Sequence, residues 1–263
     1  MKFEFEMKRY VKQILFACLY GFYKISFWRP PIVVVLMYHS VSNWNWEFAV
    51  RPEVFEDQIN HLYDQGFSFI SSKDLGAWLA KVKELPPKSI LVTFDDGYKD
   101  FVDNAWPILK KCDAQATLFI HANRSSDPLG NQIPLLDWED LKKLSQAGVE
   151  LGDHSYSHPN LKQMNRTEVE NQIETSQAVF KEQVGFKPSI MAYPEGKFNQ
   201  VLIECLKSYG YHLGFSIDRG LVYRNDDPFR LRRSGVTNKT TWLEFKARVT
   251  PMSDWYEYLI QSK

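Results

Sequence analysis

The chain has 263 residues, 44% of them hydrophobic, and its 32 Lys and Arg balance 32 Asp and Glu for a formal net charge of zero. The apolar share excludes a disordered chain, and neutrality disfavours nucleic acid as a partner, because a binder of phosphate backbones carries a basic excess. Three widely spaced cysteines, Cys18, Cys112 and Cys205, give neither a disulfide framework nor a CxxC metal pair.

Lys2, Lys8, Arg9 and Lys12 precede an apolar and aromatic stretch over residues 14–23 that ends at Lys24. No small-x-small cleavage site follows, and the stretch is about half of the ~20 residues a spanning helix needs. Residues 1–29 are therefore expected as a basic, aromatic-rich helix lying on a membrane surface. The lack of a cleavage site and of disulfides leans towards the cytoplasmic face rather than a periplasmic or extracellular one. Pro30-Pro31 closes the segment, and residues 30–263 are expected as one domain.

From Ile32 onward strands alternate with amphipathic helices, which predicts a parallel sheet covered by helices. Residues 32–38 (IVVVLMY) form a continuous apolar run, as for a strand buried on both faces. Helical spacing covers 52–66, a short strand 67–70, and a second helix 72–82. Residues 89–94 (SILVTF) read as another buried strand, 103–111 as helix, 116–120 as strand and 138–147 as helix. A strand over 149–152 and a long helix over 167–184 follow, the latter with Thr167 and Glu170 placed as a capping box. The remaining elements are a strand at 189–193, a helix at 200–209, strands near 213–217 and 230–236, and a helix at 241–249. About 230 residues of such units fit a (β/α) barrel, with an open doubly wound sheet as the competitor. No Gly-rich phosphate loop follows the first strand, so a nucleotide cofactor is not expected.

In a parallel barrel, reactive side chains gather where strands end. Strand 32–38 runs into His39, strand 89–94 into Asp95-Asp96-Gly97, strand 149–152 into Asp153-His154, and strand 189–193 into Pro194-Glu195-Gly196. An Asp-Asp pair usually caps a turn, but after a buried strand at least one carboxylate lies at the barrel mouth. His154 and His158, at a spacing that lets two imidazoles on a helical turn share an ion, join Asp96 as two nitrogens and one oxygen. Three ligands with a position left for water is the pattern of a catalytic zinc. His39, at the same rim, suits an acid for a leaving amine near neutral pH. His61, His121 and His212 are set aside as ordinary structural or surface histidines.

These residues resemble the polysaccharide deacetylases, also called the NodB-homology or carbohydrate esterase 4 family. Thr93-Phe94-Asp95-Asp96-Gly97-Tyr98 and His154-Ser155-Tyr156-Ser157-His158-Pro159 match its first two motifs. Leu36-Met37-Tyr38-His39-Ser40-Val41 and Met191-Ala192-Tyr193-Pro194-Glu195-Gly196 look like the branch that includes the poly-N-acetylglucosamine deacetylases. The resemblance implies a distorted barrel of about seven strands and hydrolysis of N-acetyl groups on a polysaccharide or lipid-linked amino sugar. It implies Asp95 as general base, Asp96, His154 and His158 as ligands of a divalent metal, Zn²⁺ above others, and Glu195 with Tyr193 at the oxyanion and substrate. Ala192 stands where many members have Arg, and the last predicted strand, Leu231-Arg232-Arg233-Ser234-Gly235-Val236, lacks the family's late acid histidine, so that role passes to His39. A related amidohydrolase on a small N-acyl or ureide substrate, or a non-catalytic metal- and glycan-binding homologue, are the alternatives. Trp44, Trp46 and Phe48, and an insertion over 124–132, lie in loops near the mouth and are candidates for contact with sugar.

Overall fold

The computed structural model describes residues 32–124 and 133–254, apart from Met252, and of the first 31 residues only Val11, Ile14 and Cys18. The expected membrane-surface helix and most of the 124–132 insertion thus lie outside the described residues. Among those described, no helix is long and apolar enough to cross a membrane.

The first strand, β1 (Ile32–Tyr38), pairs in parallel with β5 (Ser89–Asp95), and the order continues through β6 (Thr117–Ile120), β7 (Glu150–Asp153), β8 (Ile190–Ala192) and β9 (Leu213–Phe215). Between β1 and β5 in the chain, β2 (Ser40–Val41) pairs with β3 (Ala49–Val50) as a separate ribbon, and β4 (Ser68–Phe69) adds to the start of β5. The order never reverses, as it would at the switch point of a doubly wound sheet. Instead the sheet curls. Leu231 bridges to Phe215, and β11 (Ser234–Gly235) pairs in parallel with Leu36 and Met37 of β1. Residues 231–235 thereby fill the gap between the last parallel strand and the first and make a seventh position in the ring. On the same edge of β1, the short β10 (Val222–Tyr223) pairs antiparallel with Ile32 and Val33.

Period-two alternation sorts the side chains of this sheet. Val33 and Val35 of β1, Leu91 of β5, Phe119, Ala192 and Phe215 point inward and pack together as the barrel core. Val34, Leu36 and Tyr38, with Ile90, Val92 and Phe94, point outward against the helices. Those helices include α1 (Pro52–Asp64), with Pro at its first position, α2 (Ser72–Leu79) and α3 (Trp106–Lys111). The helix expected from residue 103 is entered through a π-helical turn over Phe101–Ala105.

After α4 (Trp138–Gln146), the long α5 (Arg166–Val184) starts one residue earlier than expected. Its cap is Asn165, whose side chain accepts from the Glu168 N–H while the Glu168 carboxylate accepts from the Asn165 N–H. Asn serves this role as well as Thr, so the capping box moves two residues back from the expected Thr167 and Glu170. The last helices are α6 (Gln200–Ser208) and α7 (Trp242–Arg248), the latter with Thr241 and Glu244 as a capping box. The expected strand over 230–236 is reduced to β11 and the Leu231 bridge, because between them Arg233 donates its N–H to the Asp218 carbonyl, outside the ladder.

Candidate active site

The carboxylates of Asp95 and Asp96 come from one strand end yet share one site. In an extended strand, neighbours face opposite ways, and Asp95 is inward. The next residue breaks the pattern: Asp96 has φ 68° and Gly97 φ 69°. A left-handed turn swings the Asp96 carboxylate back over the mouth, and aspartate tolerates that conformation better than most residues. Gly97 has no substitute here, since a Cβ would stand 2.6 Å from Ile120 Cγ2 at a φ that side chains avoid. Arg124 clamps the turn from behind. Its Nη1 donates to the Asp96 carbonyl (2.7 Å), its Nη2 to that of Gly97 (2.6 Å) and its Nε to that of Leu136 (3.0 Å).

Asp96 Oδ1 lies 3.6 Å from His154 Nε2 and 3.7 Å from His158 Nε2. One ligand atom from each of the three residues falls within 4.8 Å of the others, a span one ion can bridge. Two imidazole nitrogens and a carboxylate oxygen suit a borderline divalent ion, so the residues fit a metal of the zinc type. His154 Nδ1 is 2.7 Å from the Ala192 carbonyl, a contact that fixes the ring and turns Nε2 to the site. The two histidines do not share a helical turn. Residues 154–160 are irregular, with Ser155 at φ 69° and His158 at φ 56°, and this looped path brings the rings to 4.7 Å between centroids.

Asp95 is held by a side chain that its local sequence does not announce. Arg233 meets it in a bidentate pair, Nη1 to Oδ1 and Nη2 to Oδ2, both 2.7 Å, with Arg233 0% and Asp95 2% exposed. Arg233 Nε donates to the Ser216 carbonyl, and the guanidinium lies 5.6 Å from the centre of the Phe119 ring. Burial pushes the Asp95 carboxyl upward, but the charge and hydrogen bonds of Arg233 prevail and hold it at about 2. Asp95 is therefore ionised at neutral pH. The arginine absent at Ala192 is replaced from the segment that completes the ring, and the signal was a charged residue inside a strand-like run, which must find a partner when buried.

His39 stands beside this pair at the end of β1, its ring against Phe48 (4.8 Å) and Trp46 (6.0 Å). Burial, partly offset by the Asp95 charge, lowers it to about 4, so it is a neutral imidazole at neutral pH. Its Nδ1 is buried without a hydrogen-bond partner among the described residues. Glu195 sits at φ 55° in the tight turn Pro194–Gly196, with its carboxylate exposed and paired with Lys197. A left-handed glutamate is strained by about 1–3 kcal/mol, a cost seen where backbone groups are aimed at a site.

Tyr193 is not brought to the mouth. Ala192 faces inward, so its neighbour faces out. The Tyr193 ring is fully buried against Phe198, and its hydroxyl donates to the Phe229 carbonyl (2.8 Å). His121, set aside above, is in fact at the mouth. It follows β6 on the inward face and is 1% exposed. Its Nδ1 is 2.7 Å from the Asn123 carbonyl, and Nε2 is buried with no partner among the described residues. Burial, Arg124 and the nearby His158 push it down to about 3.

Arg124→Met is expected to weaken metal binding about 10–100-fold by releasing the Asp96–Gly97 turn. Competition against a chelator of known affinity reads this, and an unchanged constant would mean that the turn holds itself.

The profile of the polysaccharide deacetylase family matches residues 82–214. The Bacillus subtilis protein YxkH is 27% identical over 224 residues, covering 85% of this chain and 78% of that one. A poly-β-1,6-N-acetyl-D-glucosamine N-deacetylase of Staphylococcus epidermidis is 26% identical over 200 residues, 73% of this chain and 69% of the other. Among solved structures, the Streptococcus pyogenes deacetylase PplD in complex with acetate superposes with a TM-score of 0.76 at 25% identity, over 84% of this chain and all of that one.

Proposed function

We propose, from a chain that belongs to the polysaccharide deacetylase family, a metal-dependent hydrolase that removes N-acetyl groups from the amino sugars of a glycan. The observation that carries this reading is the convergence of Asp96, His154 and His158 on one point beside an ionised, arginine-clamped Asp95. We assign Zn²⁺ to the three ligands on their donor set. When bound, a divalent ion there polarises a carbonyl oxygen and makes water more acidic.

The chain's own groups do the rest. Asp95 accepts the proton of the attacking water at a carboxylate oxygen, while Arg233 keeps that carboxylate ionised and fixed. The Glu195 N–H donates to the acetyl oxygen as the carbon becomes tetrahedral and negative charge gathers there. His39 starts neutral, so it can act as an acid only after taking up a proton, and the proton Asp95 removed from water is the nearest source. His39 then passes it to the amine as the C–N bond breaks, and acetate leaves with the oxygen of the water.

Residues 30–263 are assigned as the catalytic domain. Residues 1–29, basic and then apolar, are assigned to a membrane surface, on the cytoplasmic face ahead of the outer one. The test is acetate release from N-acetylglucosamine oligomers by the full chain, lost on chelation and restored by Zn²⁺. Release that survives exhaustive chelation, or no release from any N-acetylated sugar, would overturn the assignment.

A further inference from the structure

The loop after His39 has two sides. On one, Trp46 and Phe48 pack on the catalytic imidazole. On the other, Trp44 is 49% exposed and opens onto a cavity of about 490 Å³, walled across by Trp242, itself 43% exposed. This cavity lies between the start of α1, which follows the loop leaving the end of β1, and the start of α7, which follows β11.

Its chemistry is that of a saccharide site. Trp44 offers an open indole face, suited to the C–H face of a pyranose. Trp242 is a braced wall, stacked on Phe245 at 10° and 5.7 Å, with Lys246 Nζ 5.7 Å from its ring centre. Around them stand the amides of Asn43 and Asn45, which donate and accept as sugar hydroxyls and acetamido groups require, while Gln58 Oε1 already accepts from the Tyr38 hydroxyl and Asn238 Nδ2 donates to the Trp46 carbonyl. Arg51 and Asp57 contribute opposite charges, so the lining favours neither an anion nor a cation. Such a mixture of aromatic surface and convergent polar groups distinguishes a ligand site from a bare apolar groove.

The cavity borders a second cleft that approaches the reaction centre. A second cleft of about 390 Å³ shares Thr237 and Thr240 with it and is lined by Phe48, which touches His39. The same cleft is lined by Ile217, which packs against Gly196 of the Glu195 turn. The rim between the two spaces is fixed: Asn238 donates its N–H to the Glu47 carbonyl and its Nδ2 to that of Trp46, both at 2.9 Å.

We propose that the Trp44–Trp242 groove binds an N-acetylated sugar residue of the substrate chain, distal to the one being deacetylated, so that the enzyme acts on a polymer rather than on a lipid-linked single sugar. This rests on the deacetylase reading above and adds the substrate's length to it.

The test compares a dimer with a hexamer of N-acetylglucosamine. Trp44→Ala is expected to raise KM for the hexamer about tenfold, with kcat unchanged and the dimer's constants unaffected. Trp242→Ala should act in the same direction, and Trp44→Ala, at an exposed position, keeps the test valid if the loss of the Phe245 stack unfolds the other. Calorimetric binding of the hexamer reads the groove even if no acetate is released, so failure of the deacetylase reading and failure of this one are separable. Equal losses for dimer and hexamer, or no loss for either, would overturn the proposal. So would a Trp44→Ala variant that loses binding to anionic phospholipid vesicles while its preference for long oligomers is intact, since the indole would then serve a lipid surface.

Discussion

Asp95→Asn is expected to lower acetate release by about 10²–10⁴-fold, the usual share of a positioned proton acceptor. The amide retains the shape of the carboxylate but not its affinity for a proton. Because the three proposed ligands are other residues, metal stoichiometry measured by elemental analysis should stay at the wild-type value. That separation is the diagnostic part. A variant that loses metal along with activity would place Asp95 in the coordination sphere, and one that keeps full activity would remove it from the role of base.

The second large effect is on stability. Arg233→Met leaves a buried carboxylate facing a neutral side chain, and breaking one side of such a pair costs about 3–5 kcal/mol. In a chain of this size that corresponds to a fall in Tm on the order of 10 °C. The double variant Asp95→Asn, Arg233→Met removes both charges and should recover much of the loss, because a neutral packed pair is often as stable as a buried ion pair.

The pH dependence changes sign as well. In the wild type, Asp95 at about 2 lies below its ordinary 3.8, so its contribution is present above about pH 4 and is lost as pH falls through about 2. Without the guanidinium, burial is the dominant influence and raises the carboxyl above its ordinary value. The variant should then lose stability as pH rises above about 4. Chemical denaturation at several pH values reads both slopes, and parallel curves for the two proteins would show that Arg233 does not govern this carboxyl.

The parts of the site visible in the sequence were those written along one stretch of chain. Asp95-Asp96 after SILVTF, and His154 with His158 after a short strand, are local patterns, and the structure joins them at the mouth. What local pattern could not give was the path between them. The spacing of the two histidines suggested a helical turn, whereas two left-handed residues, Ser155 and His158, bring the rings together in a loop. Tyr193 was misjudged for a different reason. Its motif is right, but strand parity sends its ring outward while Ala192 faces in, and parity could have been read from the alternation itself. His121 became a neighbour of the metal ligands only through the β6–β7 ladder, in which the His154 N–H donates to the Ile120 carbonyl. Arg233 was the least accessible of all, since it is separated from Asp95 by 138 residues and stands beside a strand only two residues long.

The stretch Leu231–Gly235 ties the Asp95 carboxylate to the closure of the ring. Asp95 appears early in the chain, but the guanidinium that pairs with it comes from the segment that closes the ring. In the closed ring, Arg233 is the group that offsets the effect of burial on the Asp95 carboxyl. A polypeptide cut short before Leu231 is thus expected to release no acetate even with Asp96, His154 and His158 in place.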